Sequence, residues 1–581
     1  MIKEIYEIRK LLLLSIPVGI LSGLLAVGFL YSLDFSTNLF LGNIVGYHPP
    51  KPFGEGGGET YVFFISHRFL LPLVTAIGGL IVGILVYLFA PEAAGVGTDV
   101  AIKAFHYGLP IGLKSSILKL ITSAITIGSG GSSGREGPMA LIGAGIGRWF
   151  GEALKLTQEE KNILLAAGLG AGIGAVFRAP FAGGILSAEV FYKEDFEVEA
   201  LIPGFVSSIV AYIVAGFFVG YEPLFKTEVV FPKFTTEEIA GYIVLGIVSA
   251  FIAKFMIFTF YSVKNLFKNL KIHPILKPAV GGFLAGICGI LTPLAVGNSY
   301  GWIQMFMKGE FLYLSFPLIL LSIPVVILSL SFTLGSGGSG GVFGPSLVVG
   351  GITGASLSIL FNDLLGGPVF NPGMMTIVGM ISVFTAAASA PLSTIILVSE
   401  MTRGYDILPY ALLSLVIAHN LAGFEKTLFE YQLLNRLESP FHRDELKAFI
   451  LKTARVKEVM TRNVIALHPN ASVLEAKEIM AKKFIAGIPI VNEKNQVIGI
   501  VTTSDVLKVE PEKMKTTKVF EIMTPKPACV LPDWNLLEVM KLFANYGYGR
   551  APVVSDFESM KLVGIISRSD IARYLIKKNV I

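Results

Sequence analysis

Apolar residues gather into two kinds of run along this chain. Six runs, at roughly 11–34, 69–90, 237–262, 279–296, 312–333 and 407–422, approach the ~20 residues an α-helix needs to cross a bilayer. Between them lie shorter apolar pieces near 115–127, 138–150, 162–177, 181–190, 344–361, 373–388 and 391–400, each broken off by glycine, proline or a charge. A helix too short to span can sit at membrane depth only where protein or a water-filled cavity satisfies its ends. The mixture of full and broken helices predicts an all-α multi-pass membrane domain built around a transport pathway. From about residue 439 charges become frequent and apolar runs shrink to strand length, which predicts a separate α/β region.

Both regions repeat themselves. GSGGSSGREGPMALIGAGIG at 128–147 returns 207 residues later as GSGGSGGVFGPSLVVGGITG at 335–354, with 10 of 20 positions identical. A second pair follows at an offset of 211: AVFRAPFAGGILSAEV at 175–190 resembles TAAASAPLSTIILVSEM at 385–401, aligning Glu189 with Glu400. The membrane domain, 1–438, is therefore expected to consist of two halves, about 1–230 and 231–438, duplicated and read as inverted, with the substrate site between them. Each glycine-rich motif ends in Gly-Pro, at Gly137-Pro138 and Gly344-Pro345. Proline suits the first turn of a helix, and the glycines before it allow a ligand close to the backbone. A helix is thus predicted to start at each Gly-Pro. Two helix N-termini, with unpaired N–H groups and positive dipole ends, suit an anion.

In the tail, VKEVMT at 456 matches VFEIMT at 519, IPIV at 488 matches APVV at 551, and GIVTTSD at 499 matches GIISRSD at 564. These are two α/β units, 453–508 and 515–577, joined to the membrane domain by a linker over 439–452.

Composition agrees with the pattern. The 581 residues are 53% hydrophobic and 15% charged, against about 25% charged in a typical soluble protein. The net charge of +5 is too small and too scattered to imply nucleic acid. Its placement instead predicts orientation. The basic start MIKEIYEIRK and a loop carrying Lys264, Lys268, Lys271 and Lys277 are expected on the cytoplasmic side, with HPPKPFGEGGGET at 48–60 facing outward. The first apolar run is too long for a signal-peptide core and lacks a small-residue cleavage site, so it is read as a retained membrane helix with a cytoplasmic N-terminus. Only Cys288 and Cys529 are present, which excludes a disulfide framework. None of the seven histidines forms the His-Glu-x-x-His spacing of an intramembrane metalloprotease. A cation pathway would need several pore acids, but Glu136 is the sole acid of the glycine-rich repeat. A membrane-tethered sensor without transport would have no use for the paired helix starts.

GREGP at 134–138, GVFGP at 341–345, PEAAGVGTD at 91–99 and the SAEV segment occur in the order found in the CLC family of chloride channels and chloride/proton exchangers, which the membrane region resembles. The tail resembles a pair of CBS domains. The resemblance implies a non-enzymatic homodimer in the plasma membrane, with one anion pathway per subunit and a cytoplasmic CBS tail. It assigns Glu136 as a gating glutamate that occupies an anion site and moves aside when protonated. The anion-contacting set carried over is Gly95, Val96, Gly97, Gly134, Arg135, Gly137, Gly341, Val342, Phe343 and Phe429, with chloride as the transported ion and no required cofactor. In the tail it assigns Thr502 with Asp505, and Ser567 with Asp570, to ATP, ADP or AMP; the other reading is that each Asp only caps the helix after it.

Three residues depart from the family's pattern. Val96 stands where the family's serine gives a hydroxyl to the ion, and Phe429 where a tyrosine does, with Tyr431 two residues on. Each lost neutral hydrogen bond is worth about 0.5–1.5 kcal/mol, so weak central binding of chloride is expected. Val190 replaces a second glutamate that many family exchangers use as inner proton acceptor. That replacement favours a voltage- or pH-gated channel; the alternative is a proton-coupled anion antiporter. Glu189 and Glu400, placed symmetrically, are expected to cap helix ends or form salt bridges.

Overall fold

The computed structural model describes residues 2–57, 65–227, 235–311, 314–423 and 425–578. The chain divides into two units, Met1–Phe441 and His442–Ile581. Part of the predicted outward loop, 58–60, lies outside the described residues.

The first half of the membrane unit contains α1 (Ile2–Thr37), α2 (Leu71–Phe89), a two-residue strand β1 (Gly95–Val96), α3 (Gly97–Tyr107), α4 (Leu113–Gly128), α5 (Glu136–Ala153), α6 (Gln158–Phe177), α7 (Pro180–Glu189) and α8 (Val198–Val219). The second half contains α9 (Thr236–Asn269), α10 (Lys277–Leu291), α11 (Tyr300–Met307), α12 (Phe316–Gly335), β2 (Ser339–Gly340), α13 (Phe343–Leu365), α14 (Pro372–Ala388), α15 (Pro391–Thr402) and α16 (Leu408–Ala422). Among the described residues nine helices are long and apolar enough to cross a membrane. The protein is a multi-pass membrane protein. One of the nine, α8, has no counterpart in the apolar runs read from the sequence, because Pro203, Gly204, Ser207 and Ser208 interrupt it. Those small residues are its packing face: the Ser207 hydroxyl donates to the Ala167 carbonyl of α6 at 2.7 Å. The expected basic loop is shorter than the sequence suggested, since Lys264 and Lys268 lie on α9 and Lys277 opens α10.

Glycine decides how the helices meet. A Cβ on Gly143 of α5 would collide with the Gly168 carbonyl of α6, and one on Gly350 of α13 would collide with the Gly379 carbonyl of α14. Gly147 against Leu164 and Gly354 against Met375 repeat the relation one turn on. These partners are separated by the same 207 and 211 residues as the sequence motifs, so the duplicated segments build duplicated helix pairs. Without Cβ atoms the backbones approach closely, as small-residue interfaces in membranes do.

The tail unit contains α17 (Arg443–Thr453), α18 (Val456–Val459), α19 (Val473–Lys483), β3 (Gly487–Val491), β4 (Val497–Thr502), α20 (Thr503–Leu507), α21 (Val519–Ile522), β5 (Thr524–Pro525), α22 (Leu536–Tyr546), β6 (Arg550–Val554), β7 (Leu562–Ser567) and α23 (Arg568–Lys577). β3 and β4 pair antiparallel, as do β6 and β7 in the corresponding register. The two copies exchange their leading segments. Val456 is buried with Val530, Phe543 and Ile566 of the second copy. Val519, which opens the second copy in sequence, is buried with Leu467, Ile488 and Val501 of the first.

Gly143→Val should lower the melting point of detergent-purified protein by an amount equivalent to about 1–3 kcal/mol of overpacking. Gly367→Ala, where a Cβ would touch nothing, should leave it unchanged, as intrinsic-fluorescence melts will show.

Candidate functional site

The two glycine-rich motifs meet at one point. The Gly134 amide donates to the Gly341 carbonyl at 2.8 Å, while the Gly341 amide donates to the Ser133 hydroxyl at 2.8 Å. β1 runs parallel to β2, pairing Gly95 with Ser339 and Val96 with Gly340, which brings the third predicted segment to the same place. The contact tolerates no side chains. A Cβ on Gly137 would lie 2.6 Å from the Gly340 carbonyl, and one on Gly97 would strike the Gly137 carbonyl. Gly95, Val96, Gly97, Gly134, Arg135, Gly137, Gly341 and Val342 are thus assembled within one junction, at the starts of α3, α5 and α13.

Glu136 is the first residue of α5, and its side chain is buried. Its carboxylate accepts a hydrogen bond from the Gly344 amide at 3.1 Å, in the first turn of α13. It also lies in the field of the amides of Glu136 itself, Gly137 and Phe343. Oε2 has no hydrogen-bond partner. A carboxylate held by the open N-terminus of a neighbouring helix is the arrangement in which an anion would also be bound. Phe343 is buried beside it, its ring 4.0 Å from Phe384 and 5.5 Å from Phe177, centroid to centroid.

Phe429 is buried and presents no hydroxyl. Tyr431 is engaged elsewhere: its hydroxyl accepts from Lys103 Nζ at 3.0 Å, and its amide donates to Asp99 at 3.0 Å. Val190 is buried too, and its carbonyl accepts from Gln432 at 3.3 Å.

Glu189 and Glu400 cap one another's helices. Glu189, the last residue of α7, accepts from the Leu392 amide at 3.0 Å, the Ser393 amide at 2.7 Å and the Ser393 hydroxyl, all at the start of α15. Glu400, near the end of α15, accepts from the Phe181 and Ala182 amides at 3.2 and 2.8 Å, at the start of α7. The two helices therefore run antiparallel, as an inverted duplication requires. This is the structural role expected of both acids, and it leaves Glu189 occupied.

Three charged or polar residues near the junction escaped the sequence reading. Lys119 of α4 is fully buried and donates to the carbonyls of Ala93 and Gly95 at 3.0 and 2.8 Å, so it secures the approach to β1. A lysine in the middle of an apolar stretch is itself a signal. Glu55 forms a two-pronged ion pair with the buried Arg135, Nη2 to Oε2 at 2.9 Å. Both border a cavity of ≈ 460 Å³ that His48, Lys51, Arg178 and Asn298 also line. Glu55 sits in a loop with no periodicity, so no pattern could single it out. Tyr300, the third, places its ring 5.2 Å below the Arg135 guanidinium.

The profile described as voltage gated chloride channel matches residues 78–423. The chain belongs to the CLC family of voltage-gated chloride channels and transporters. CBS domain profiles match 456–512 and 519–577. A curated relative, the voltage-gated ClC-type chloride channel ClcB of Shigella flexneri, is 28% identical over 420 residues, 71% of this chain and 94% of its own. A crystal structure of a slow cyanobacterial Cl⁻/H⁺ antiporter matches with a TM-score of 0.60 at 25% identity, over 71% of this chain and 94% of that one. A eukaryotic CLC transporter shares the fold over 96% of this chain and 98% of its own, with a TM-score of 0.57 at 18% identity. The activity of this CLC protein is anion transport, in a family that is not enzymatic.

In the CBS pair, Asp505 accepts from the amide and hydroxyl of Thr502 at 3.0 and 2.7 Å, and Asp570 from those of Ser567 at 2.9 and 2.6 Å. Each Asp thus closes a capping box on the helix that follows.

Removing a helix cap costs about 0.5–2 kcal/mol. Glu189→Ala and Glu400→Ala should each lower the thermal midpoint by a corresponding amount. The more buried Glu189, which holds one more donor, should show the larger drop.

Proposed function

We propose that this CLC protein conducts chloride or a similar small anion along a path that the Glu136 carboxylate closes. The observation that carries the reading is the bond from the Gly344 amide to Glu136: the carboxylate occupies the helix N-terminus where an anion would sit. Protonation removes its charge and with it the attraction of the α13 dipole, so an anion can take its place. Val342 and Phe343 then supply backbone donors, the Gly95 amide being committed to the Gly338 carbonyl at 2.9 Å, while Val96 and Phe429 supply none from their side chains. Val190, with Glu189 committed to capping α15, favours a channel; a proton-coupled antiporter is the second reading, supported by the likeness to the cyanobacterial antiporter. The working unit is a homodimer in the plasma membrane with both termini cytoplasmic, its CBS pair taking an adenine nucleotide through Thr502, Asp505, Ser567 and Asp570.

Reconstituted in liposomes, the protein should release chloride faster as pH falls, because protonation opens the path. Glu136→Ala should remove that pH dependence while flux continues. Chloride driven by its own gradient should move no protons uphill; stoichiometric uphill proton movement would establish the antiporter reading instead. ATP or AMP should bind the full-length protein, as equilibrium dialysis will show, and Asp505→Ala with Asp570→Ala together should abolish that binding. Retention of binding would return both Asp residues to capping alone.

A further inference from the structure

The anion junction lacks both hydroxyls that its family likeness leads one to expect, since Val96 and Phe429 carry none. A different hydroxyl is present. Tyr300, the first residue of α11, is fully buried, and its hydroxyl has no hydrogen-bond partner. It lies at the start of α13: a Cβ placed on Gly344 would come 2.6 Å from the Tyr300 hydroxyl and 2.8 Å from the Gly134 Cα. Gly344 is the residue whose amide holds Glu136, and Glu136 Oε2 is also buried without a partner.

Packing alone does not account for a phenol here. The ring sits under Arg135 and against Phe177 and Phe225, with centroids 6.3 and 6.0 Å away. Phenylalanine would make all of these contacts, and a buried hydroxyl left without a partner is destabilising. The backbone is also arranged to place it. Ser299 precedes Tyr300 in the left-handed region at φ 57°, uncommon for a non-glycine residue, and is held there by its hydroxyl on the carbonyls of Leu294 and Val296 at 2.7 and 3.1 Å.

We infer that the Tyr300 hydroxyl is a ligand of the transported anion, donating to it beside the Gly344 amide once Glu136 has left the start of α13. The inference rests on the Glu136-gated path and adds to it a side-chain donor from α11, outside the glycine-rich repeat. The ligand class is a small anion that accepts strong hydrogen bonds, chloride or fluoride. Weakly hydrated thiocyanate depends less on an O–H donor.

The test is Tyr300→Phe, which keeps the ring, in the wild-type protein and in Glu136→Gln. Liposome efflux is measured against chloride concentration, and the chloride-to-thiocyanate flux ratio is taken in parallel. Loss of one hydrogen bond to a charged partner should raise the apparent chloride KM about tenfold, with flux retained and the ratio shifted toward thiocyanate. A purely structural tyrosine would alter the amount of active protein and leave KM and the ratio where they were. Unchanged KM and ratio in both backgrounds, with flux intact, would overturn the assignment while leaving the Glu136 path standing. Absence of anion flux in every variant, including Glu136→Gln alone, would overturn the path and the assignment with it.

Discussion

Two helix starts, those of α5 and α13, are pressed together inside a membrane protein, and the positive ends of both would repel one another if nothing negative lay between them. The Glu136 carboxylate lies there, bonded to the Gly344 amide. Buried amides at a helix start need partners, and in a bilayer no water is at hand to provide them. The protein's own carboxylate meets that need here, through the chemistry by which a free anion would meet it. The rest of the membrane unit can be understood as what holds this junction in place: β1 on β2, Lys119 on the carbonyls of Ala93 and Gly95, and Arg135 tied to Glu55.

Close approach explains why the junction is written in glycine. Gly97, Gly134, Gly137, Gly341 and Gly344 each face backbone or the Glu136 carboxylate at a distance no Cβ could occupy. The same device operates further out, where Gly143 and Gly350 join α5 to α6 and α13 to α14. The chain uses glycine both to bring the helix starts together and to join neighbouring helices, and the repeat preserves both uses. The reciprocal capping by Glu189 and Glu400 is a third shared feature, and here identity of role follows from identity of position.

Against that symmetry, the two copies have diverged where the chemistry differs. One carries Arg135 and Glu136, the other Val342 and Phe343, so the first supplies the charge and the second the donors and an aromatic wall. The divergence continues outside the repeat. Where the family pattern calls for side-chain hydroxyls the chain has Val96 and Phe429, and Tyr431 spends its hydroxyl on Lys103. An unpaired phenol, Tyr300, stands on the α13 side of the same junction.

Read alone, the chain disclosed the membrane helices, the duplication, the anion-suited helix starts and the two-copy tail, because each is a local or periodic feature: an apolar run, a repeated motif, a Gly-Pro step. Even the offsets of 207 and 211 reappear as pairs of touching helices. α8 was missed because its packing face of Pro203, Gly204 and serines weakens the apolar signal, although that face is what buries it. Lys119, Glu55 and Tyr300 could not be assigned at all, since each acts on a residue distant in sequence: 24 residues for Lys119 on Gly95 and 80 for Glu55 on Arg135. The exchange of leading segments in the tail is likewise invisible in two aligned copies. Sequence by itself determined which backbone could come close to an anion, because glycine and proline act locally. Only the tertiary structure decided which side chains surround it, because burial and hydrogen-bond satisfaction are settled between segments that the chain keeps far apart.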